Sequence, residues 1–241
     1  MKVSIITVCY NDLEGLKKTV HSVKSLSYAD KELIVVDGLS KDGSQDFIIN
    51  NKVIDKKIIE ADSGIYNAMN KGVYSADGDY LIFMNAGDTF ADSNALDDID
   101  KFREDIIYGS VYEGGAKESN LVRPLCIDNI WRGMIFSHQS VFIKKSLLEL
   151  NPYNEKMKIA ADYDFFLKMY IKKRSFKELE RPISIVDIGG VSRYYQVLST
   201  KERIEALKES KMLYGKVYIY YKLLLPYIYI KSAVKCLIEK K

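Results

Sequence analysis

The sequence predicts an α/β fold, a mainly parallel sheet flanked by helices, and three observations carry that prediction. Residues 3–8, 32–36 and 80–84 are apolar runs without helical period, the composition of strands buried on both faces. Between them, apolar residues recur at helical spacing. The order strand, helix, strand repeats from the N-terminus, which calls for parallel strands with right-handed crossovers. At 241 residues the chain has length for one sizeable core, or for one such domain with appendages.

Residues 3–8 open the sheet. Asn11 or Asp12 can cap the first helix, with Leu13, Leu16, Val20 and Val23 on one face. The second strand, 32–36, ends in the polar loop 37–44, which runs into a helix carrying Phe47 and Ile48. A third helix follows. Asp62 or Ser63 can cap it, Ile65, Met69 and Val73 form a stripe at four-residue spacing, and Asn67, Asn70 and Lys71 fall on the other side. Ala68 and Gly72 let it pack closely. The strand 80–84 stops abruptly at Asn85-Ala86-Gly87-Asp88.

Beyond that point the simple alternation ends. The pattern predicts a polar helix over 94–103, strands at 106–108 and 111–112 with a Gly114-Gly115 turn, and a strand at 140–143. Residues 147–150 read as a short helix closed by Asn151-Pro152, while 120–132 give no readable pattern. Residues 160–172 form a clear helix with Tyr163, Phe166, Leu167 and Tyr170 on its apolar side and Asp162 and Asp164 at its start. The last strand is 183–188, closed by Gly189-Gly190, and from Thr200 the chain turns helical.

The C-terminal segment has its own composition. Between Lys208 and Lys241 eight lysines face two glutamates, and six tyrosines are threaded through Leu and Ile. Pro226 and Lys222 interrupt the apolar core, which falls short of the roughly 20 residues a bilayer span needs. Basic and aromatic together, the segment suits an anionic membrane surface; a helical hairpin folded on the domain with solvated lysines is the plainer alternative. A net charge of +3 is too mild to argue for nucleic acid. Cys9, Cys126 and Cys236 are odd in number and widely spaced, and read as buried thiols of a reducing cytoplasm. The N-terminal apolar run is too short for a signal peptide.

In such a sheet the loops after the first two strands and after residue 84 share one edge, which brings Tyr10, Asp37 and Asp88 together. Asn, Gly and Asp are also ordinary turn formers. No Gly-x-Gly-x-x-Gly follows the first strand and no P-loop is present.

Residues 3–11, 33–44 and 62–88, together with Ala160-Ala161-Asp162-Tyr163-Asp164-Phe165-Phe166-Leu167, resemble the inverting glycosyltransferases of family 2. Those enzymes have the GT-A fold and use nucleotide-diphosphate sugars; the likeness is strongest to the short bacterial enzymes of surface-polysaccharide synthesis. The resemblance implies a GT-A domain over 1–199, with a nucleotide-sugar half (1–92) and an acceptor half (93–199), and a basic aromatic tail over 200–241. It places Thr7, Tyr10 and Asp37 at the base and ribose, and makes Asp62, Lys71 and Asn85 further donor-site candidates. Tyr10 can stack on a base and Asp37 can accept from a base N–H or ribose hydroxyl.

The family's metal motif is commonly Asp-x-Asp, but here Asn85 and Gly87 replace the first two carboxylates and Asp88 remains. One carboxylate with diphosphate oxygens and water can still hold Mn²⁺ or Mg²⁺. Asp162 takes the family's base position; Asp164 and His138 are possible site members, His138 packed in the core or behind the site, or else as the one credible histidine ligand for a metal. The implied enzyme transfers a sugar, from a UDP-sugar, to a saccharide or lipid-linked saccharide at the cytoplasmic face of the membrane. A sugar-phosphate nucleotidyltransferase and a non-catalytic nucleotide- or sugar-binding protein are the competing readings.

Overall fold

The structure, a computed structural model, describes residues 1–115, 120–187 and 195–238, with side chains to Ser232. Its strands are β1 (Val3–Cys9), β2 (Lys31–Asp37), β3 (Lys56–Ile59), β4 (Tyr80–Phe83), β5 (Thr89–Phe90), β6 (Ile106–Glu113), β7 (Asn120–Val122), β8 (Val141–Lys144) and β9 (Phe176–Val186). Its helices are α1 (Leu13–Lys24), α2 (Ser44–Asn50), α3 (Ile65–Ser75), α4 (Lys145–Leu150), α5 (Ala161–Ile171), α6 (Gln196–Glu209) and α7 (Gly215–Ile238). The strands form one sheet in the order β3-β2-β1-β4-β8-β6-β9-β5, with β7 on β6. The first four are mutually parallel, β6 and β9 are parallel to each other, and β8, β5 and β7 run antiparallel to their neighbours.

Alternation along β1 explains the two cores: Val3, Ile5 and Cys9 face the layer of α1 and α2, while Ile6 and Val8 face α3 and the C-terminal helices. Asp12 caps α1, accepting from the Gly15 N–H at 2.9 Å. The carboxyl ends of β1, β2, β4, β6 and β9 all meet one edge of the sheet, and the loops there carry the polar residues of interest.

Several sequence expectations are corrected. Residues 94–103 are turns and one 3₁₀ turn at Ile99–Lys101 rather than a helix. The Arg181 guanidinium takes the carbonyls of Asn94, Ala95 and Asp97, and Asp98 has a left-handed φ of 62°. In α3 the N-cap is Gly64, without a side-chain cap. Ile65 is exposed and Asn70 is buried, because Asn70 brackets the Tyr153 backbone, donating to its carbonyl and accepting from its N–H at 3.0 Å each. Residues 106–113 are one strand, and β9 begins at Phe176. Cys126 is exposed while Cys9 is buried; the side chain of Cys236 and the Gly189-Gly190 closure lie outside the described residues.

At the C-terminus α7 continues through Pro226. Val217, Tyr221 and Ile228 are buried against the domain, as are Ala206 and Leu207 of α6. Position 200 therefore lies inside a packed helix.

Candidate functional site

The slot at the ends of β1 and β2 is built from three loops. Tyr10 stands 68% exposed beyond β1. A Cβ placed on Gly38 would come within 2.5 Å of Asp62 Oδ2 and 3.2 Å of Tyr10 Cδ2, so Tyr10 and Asp62, distant in sequence, close over Gly38. Asp62 Oδ1 accepts from the Gly64 N–H at 2.9 Å and leaves Oδ2 toward the slot.

Asp37 is fully buried and works one layer below. It accepts from the Ser40 N–H at 2.9 Å and from Ser40 Oγ at 2.5 Å; Ser40 Oγ in turn receives the Asn11 N–H at 2.7 Å. This chain ties the β1 loop to the β2 loop and makes the floor of the slot. Thr7, also fully buried, points toward the α1 layer, and its hydroxyl has no partner among the described residues. Lys71 donates to the Ala61 carbonyl at 2.6 Å and pairs with Glu60 at 2.9 Å. It fastens the segment before Asp62 rather than projecting a free ammonium.

Asp88 follows Gly87, whose φ of 94° turns the chain sharply after β4. Its Oδ2 accepts from Gln139 Nε2 at 2.9 Å. Burial pushes the carboxyl up to about 6, with the Asp187 charge adding to it and the Gln139 hydrogen bond and Lys18 opposing it. Pairing of Thr89 with Ile185 across β5 and β9 brings Asp187 to Asp88. Sequence reading missed Asp187 and Gln139, because only the sheet register joins them to Asp88. Asn85 Oδ1 is buried with no partner among the described residues. A cation-binding role fits the two carboxylates, Asp88 buried on the β4 loop and Asp187 beside it. No group of three or more Asp, Glu, His or Cys side chains converges among the described residues.

On the α3 side, Asp162 sits in the first turn of α5, half-buried. Its Oδ1 accepts from Tyr66 Oη at 3.0 Å and from the Tyr163 N–H at 2.8 Å. Burial first, and the Asp162 charge next, push the Tyr66 phenol far up, so it stays a donor. The backbone before Asp162 is held by Glu202 of α6, which accepts from the Lys158, Ile159 and Ala160 N–H groups at 2.9 Å each. Sequence reading missed this anchor too. Asp164 points elsewhere: it is 2% exposed and bonded to Lys168 Nζ at 2.6 Å.

His138 lies behind Asp162, stacked on Phe83 with centroids 4.9 Å apart, its Nε2 2.8 Å from Tyr153 Oη. Burial lowers its pKa, keeping the imidazole neutral at neutral pH. It packs among Phe83, Tyr153 and Phe166, whereas its neighbour Gln139 reaches Asp88.

The pattern that defines Glycosyl transferase family 2 matches residues 4–173. The chain belongs to that family. It is therefore a glycosyltransferase. Its sequence is 31% identical over 184 residues to the PGL/p-HBAD biosynthesis glycosyltransferase of Mycobacterium tuberculosis, covering 69% of each protein. The fold is GT-A, as the similar solved structures show. S. aureus TarS 1-349 in complex with UDP-GlcNAc superposes with a TM-score of 0.68 at 17% identity, covering 93% of this chain and 70% of that one. The mannosyltransferase PcManGT from Pyrobaculum calidifontis, in complex with GDP-Man and Mn²⁺, gives 0.69 at 17% identity, covering 97% and 73%. Family 2 membership accounts for the position of the polar loops on the carboxyl edge, since that edge is where an α/β sheet receives ligands.

Proposed function

We propose that this family 2 enzyme performs inverting transfer from a UDP-sugar to a saccharide or lipid-linked saccharide, with Asp162 as the base. The observation that carries the reading is α3: its entry loop holds Asp62 in the slot, and its first turn sends Tyr66 to Asp162. One short element thus links the nucleotide slot to the carboxylate that faces the acceptor.

In this reading Tyr10 stacks on the base and Asp62 Oδ2 reads a base or ribose donor group. The Asn85 amide oxygen accepts from the ribose, and Asp37 keeps the slot's floor in place. Asp88, with Asp187 beside it, holds a divalent cation, which would neutralise the departing diphosphate. Asp162 takes the proton of the acceptor hydroxyl as the new bond forms on the face opposite the leaving group. Tyr66 fixes the orientation of that carboxylate. The TarS structure bound to UDP-GlcNAc supports the uridine donor, and the Mn²⁺ in the PcManGT structure supports the metal.

The acceptor side faces a membrane. Tyr218, Ile219, Leu223, Tyr227 and Ile230 are exposed on α7, interspersed with exposed Lys216, Lys222 and Lys231. An exposed apolar and basic face of this kind suits the headgroup region of an anionic leaflet, on the cytoplasmic side. No helix among the described residues is long and apolar enough to cross a membrane.

A thermal-shift panel of UDP-, GDP- and dTDP-sugars with and without Mn²⁺ tests the donor assignment. The reading expects stabilisation by UDP-sugars that grows with Mn²⁺. Stabilisation by GDP-sugars alone would overturn the base identity, and a flat panel would overturn the donor site.

A further inference from the structure

Away from the sheet edge, a cavity of about 330 Å³ opens between α6, α7 and the 3₁₀ turn at Ile127–Arg132. Arg132, Arg203, Gln196 and Tyr220 give it a polar side, and Leu224 and Ile228 an apolar one. The two guanidiniums are the unusual feature. Arg132 rests on the Trp131 ring, 5.1 Å from its centroid, and Arg203 donates to the Ser199 hydroxyl from Nη2 at 2.8 Å and from Nε at 3.3 Å, with the Tyr221 phenol beside it. Neither has a carboxylate partner among the described residues.

The backbone makes room for one of them. A Cβ on Gly133, at φ 140°, would lie 2.5 Å from Arg203 Nη1, so a glycine there lets the guanidinium approach the turn. Lys216 adds a third cation, 5.4 Å from the same Trp131 ring. Two guanidiniums lining one cavity, with no carboxylate partner among the described residues, match the oxygens of a phosphate or diphosphate. The apolar wall of Leu224 and Ile228 borders the exposed apolar face of α7, where a hydrocarbon chain would leave the cavity.

We infer that this cavity binds the phosphate-bearing head of a lipid, Arg132 and Arg203 holding the phosphate while the chain runs out along α7. Arg203 is adjacent in sequence to Glu202, which holds the backbone before Asp162. A lipid diphosphate seated here would anchor a lipid-linked acceptor next to the helix that carries the base. This extension rests on the acceptor class proposed above; the site itself is testable without any transfer reaction.

Trp131 is the chain's single tryptophan and lies against Arg132, so its fluorescence reports on the cavity directly. The experiment titrates the full chain with farnesyl diphosphate, inorganic diphosphate and farnesol, with and without UDP present. Expected is a saturable Trp131 signal with farnesyl diphosphate that UDP does not compete away, a weaker one with inorganic diphosphate, and none with farnesol. Arg132→Gln, which removes no hydrogen bond among the described residues, should weaken farnesyl diphosphate by about tenfold or more. Arg203→Lys tests the second guanidinium with charge and packing kept, and should weaken it less than Arg203→Gln.

Equal affinity for inorganic and farnesyl diphosphate would mean a free-anion site and overturn the lipid assignment. Equal affinity for farnesol would reduce the cavity to an apolar cleft. Competition by UDP, or unchanged binding in both arginine variants, would place the ligand elsewhere. Donor stabilisation by UDP-sugars is read separately, so loss of one result leaves the other standing.

Discussion

Asp162 and Asp164 stand two residues apart on one helix, and their surroundings give them different work. Asp164 is buried and receives a charge-assisted hydrogen bond from Lys168, whose ammonium is partly exposed; such a bond contributes about 1.5–3 kcal/mol. Asp164→Asn should therefore lower the melting temperature more than it lowers turnover per folded molecule. Tyr66→Phe removes one hydrogen bond from Asp162 and nothing from the nucleotide slot, so turnover should fall several-fold at unchanged nucleotide affinity. Asp88 carries a pH dependence. Its folded pKa, raised to about 6, means that the folded state loses stability as pH rises from about 4 to 6 and keeps that deficit above 6. Asp88→Asn should then melt higher than wild type at pH 7.5 without ligand, by on the order of 1–3 kcal/mol. It should also lose the Mn²⁺-dependent part of UDP binding. In the wild type, protons compete with the cation, so Mn²⁺ affinity should drop as pH falls through about 6; a flat profile between pH 5 and 8 would contradict the metal assignment. Thr7, Asp37 and Lys71 were legible as polar residues near the edge, but their orientation was not. Only the packed loops reveal that Asp37 bonds Ser40 and that Lys71 bonds Ala61.

Among the elements, α6 matters most for Asp162, the proposed base. Glu202 satisfies three backbone N–H groups that lead into α5, a helix with no side-chain cap of its own. Glu202→Ala leaves those donors without their acceptor, at a cost of about 1–3 kcal/mol, and should lower turnover by roughly tenfold through misplacement of Asp162. Glu202→Gln keeps one oxygen acceptor and should recover most of both, as melting curves and initial rates will report. The strands buried on both faces were legible because most of their residues are apolar: Leu33–Val36 of β2 and Tyr80–Phe83 of β4 are unbroken runs, and β1 is interrupted only by Ser4 and Thr7. The stretch after Asp88 was not legible for an opposite reason. Residues 94–103 have a polar composition compatible with a helix, yet Arg181, far along the chain on β9, takes the carbonyls a helix would use. Likewise the first half of β9 carries Lys177, Glu178 and Glu180, a charge density that hides a strand with one solvent-facing side.

For the molecule as a whole, the sheet gathers loops from β1, β2, β4 and β9 on one edge, and the C-terminal helices give the opposite side of α5 a basic, aromatic face. The membrane reading belongs at this scale. Replacing Lys216, Lys222 and Lys231 together by Gln removes about 1 kcal/mol each near an anionic surface. Partition onto phosphatidylserine vesicles should fall by about a hundredfold, and wild-type binding should weaken with salt. Salt-independent binding, or no change in the triple variant, would contradict it. The GT-A order of elements and the gathering of polar loops on the carboxyl edge were legible from periodicity and resemblance, whereas the Asp88–Asp187 pairing and the Tyr66–Asp162 bond depend on sheet register and on helix packing. The measurement that tests the central claim most directly compares UDP affinity with the rate of UDP release for wild type and Asp162→Asn. It uses the donor selected by thermal shift, with a bacterial lipid extract as acceptor. The account predicts unchanged UDP affinity and a release rate lowered by roughly 10²–10⁴-fold; near-normal release, or a loss of affinity as large as the loss of rate, would contradict it.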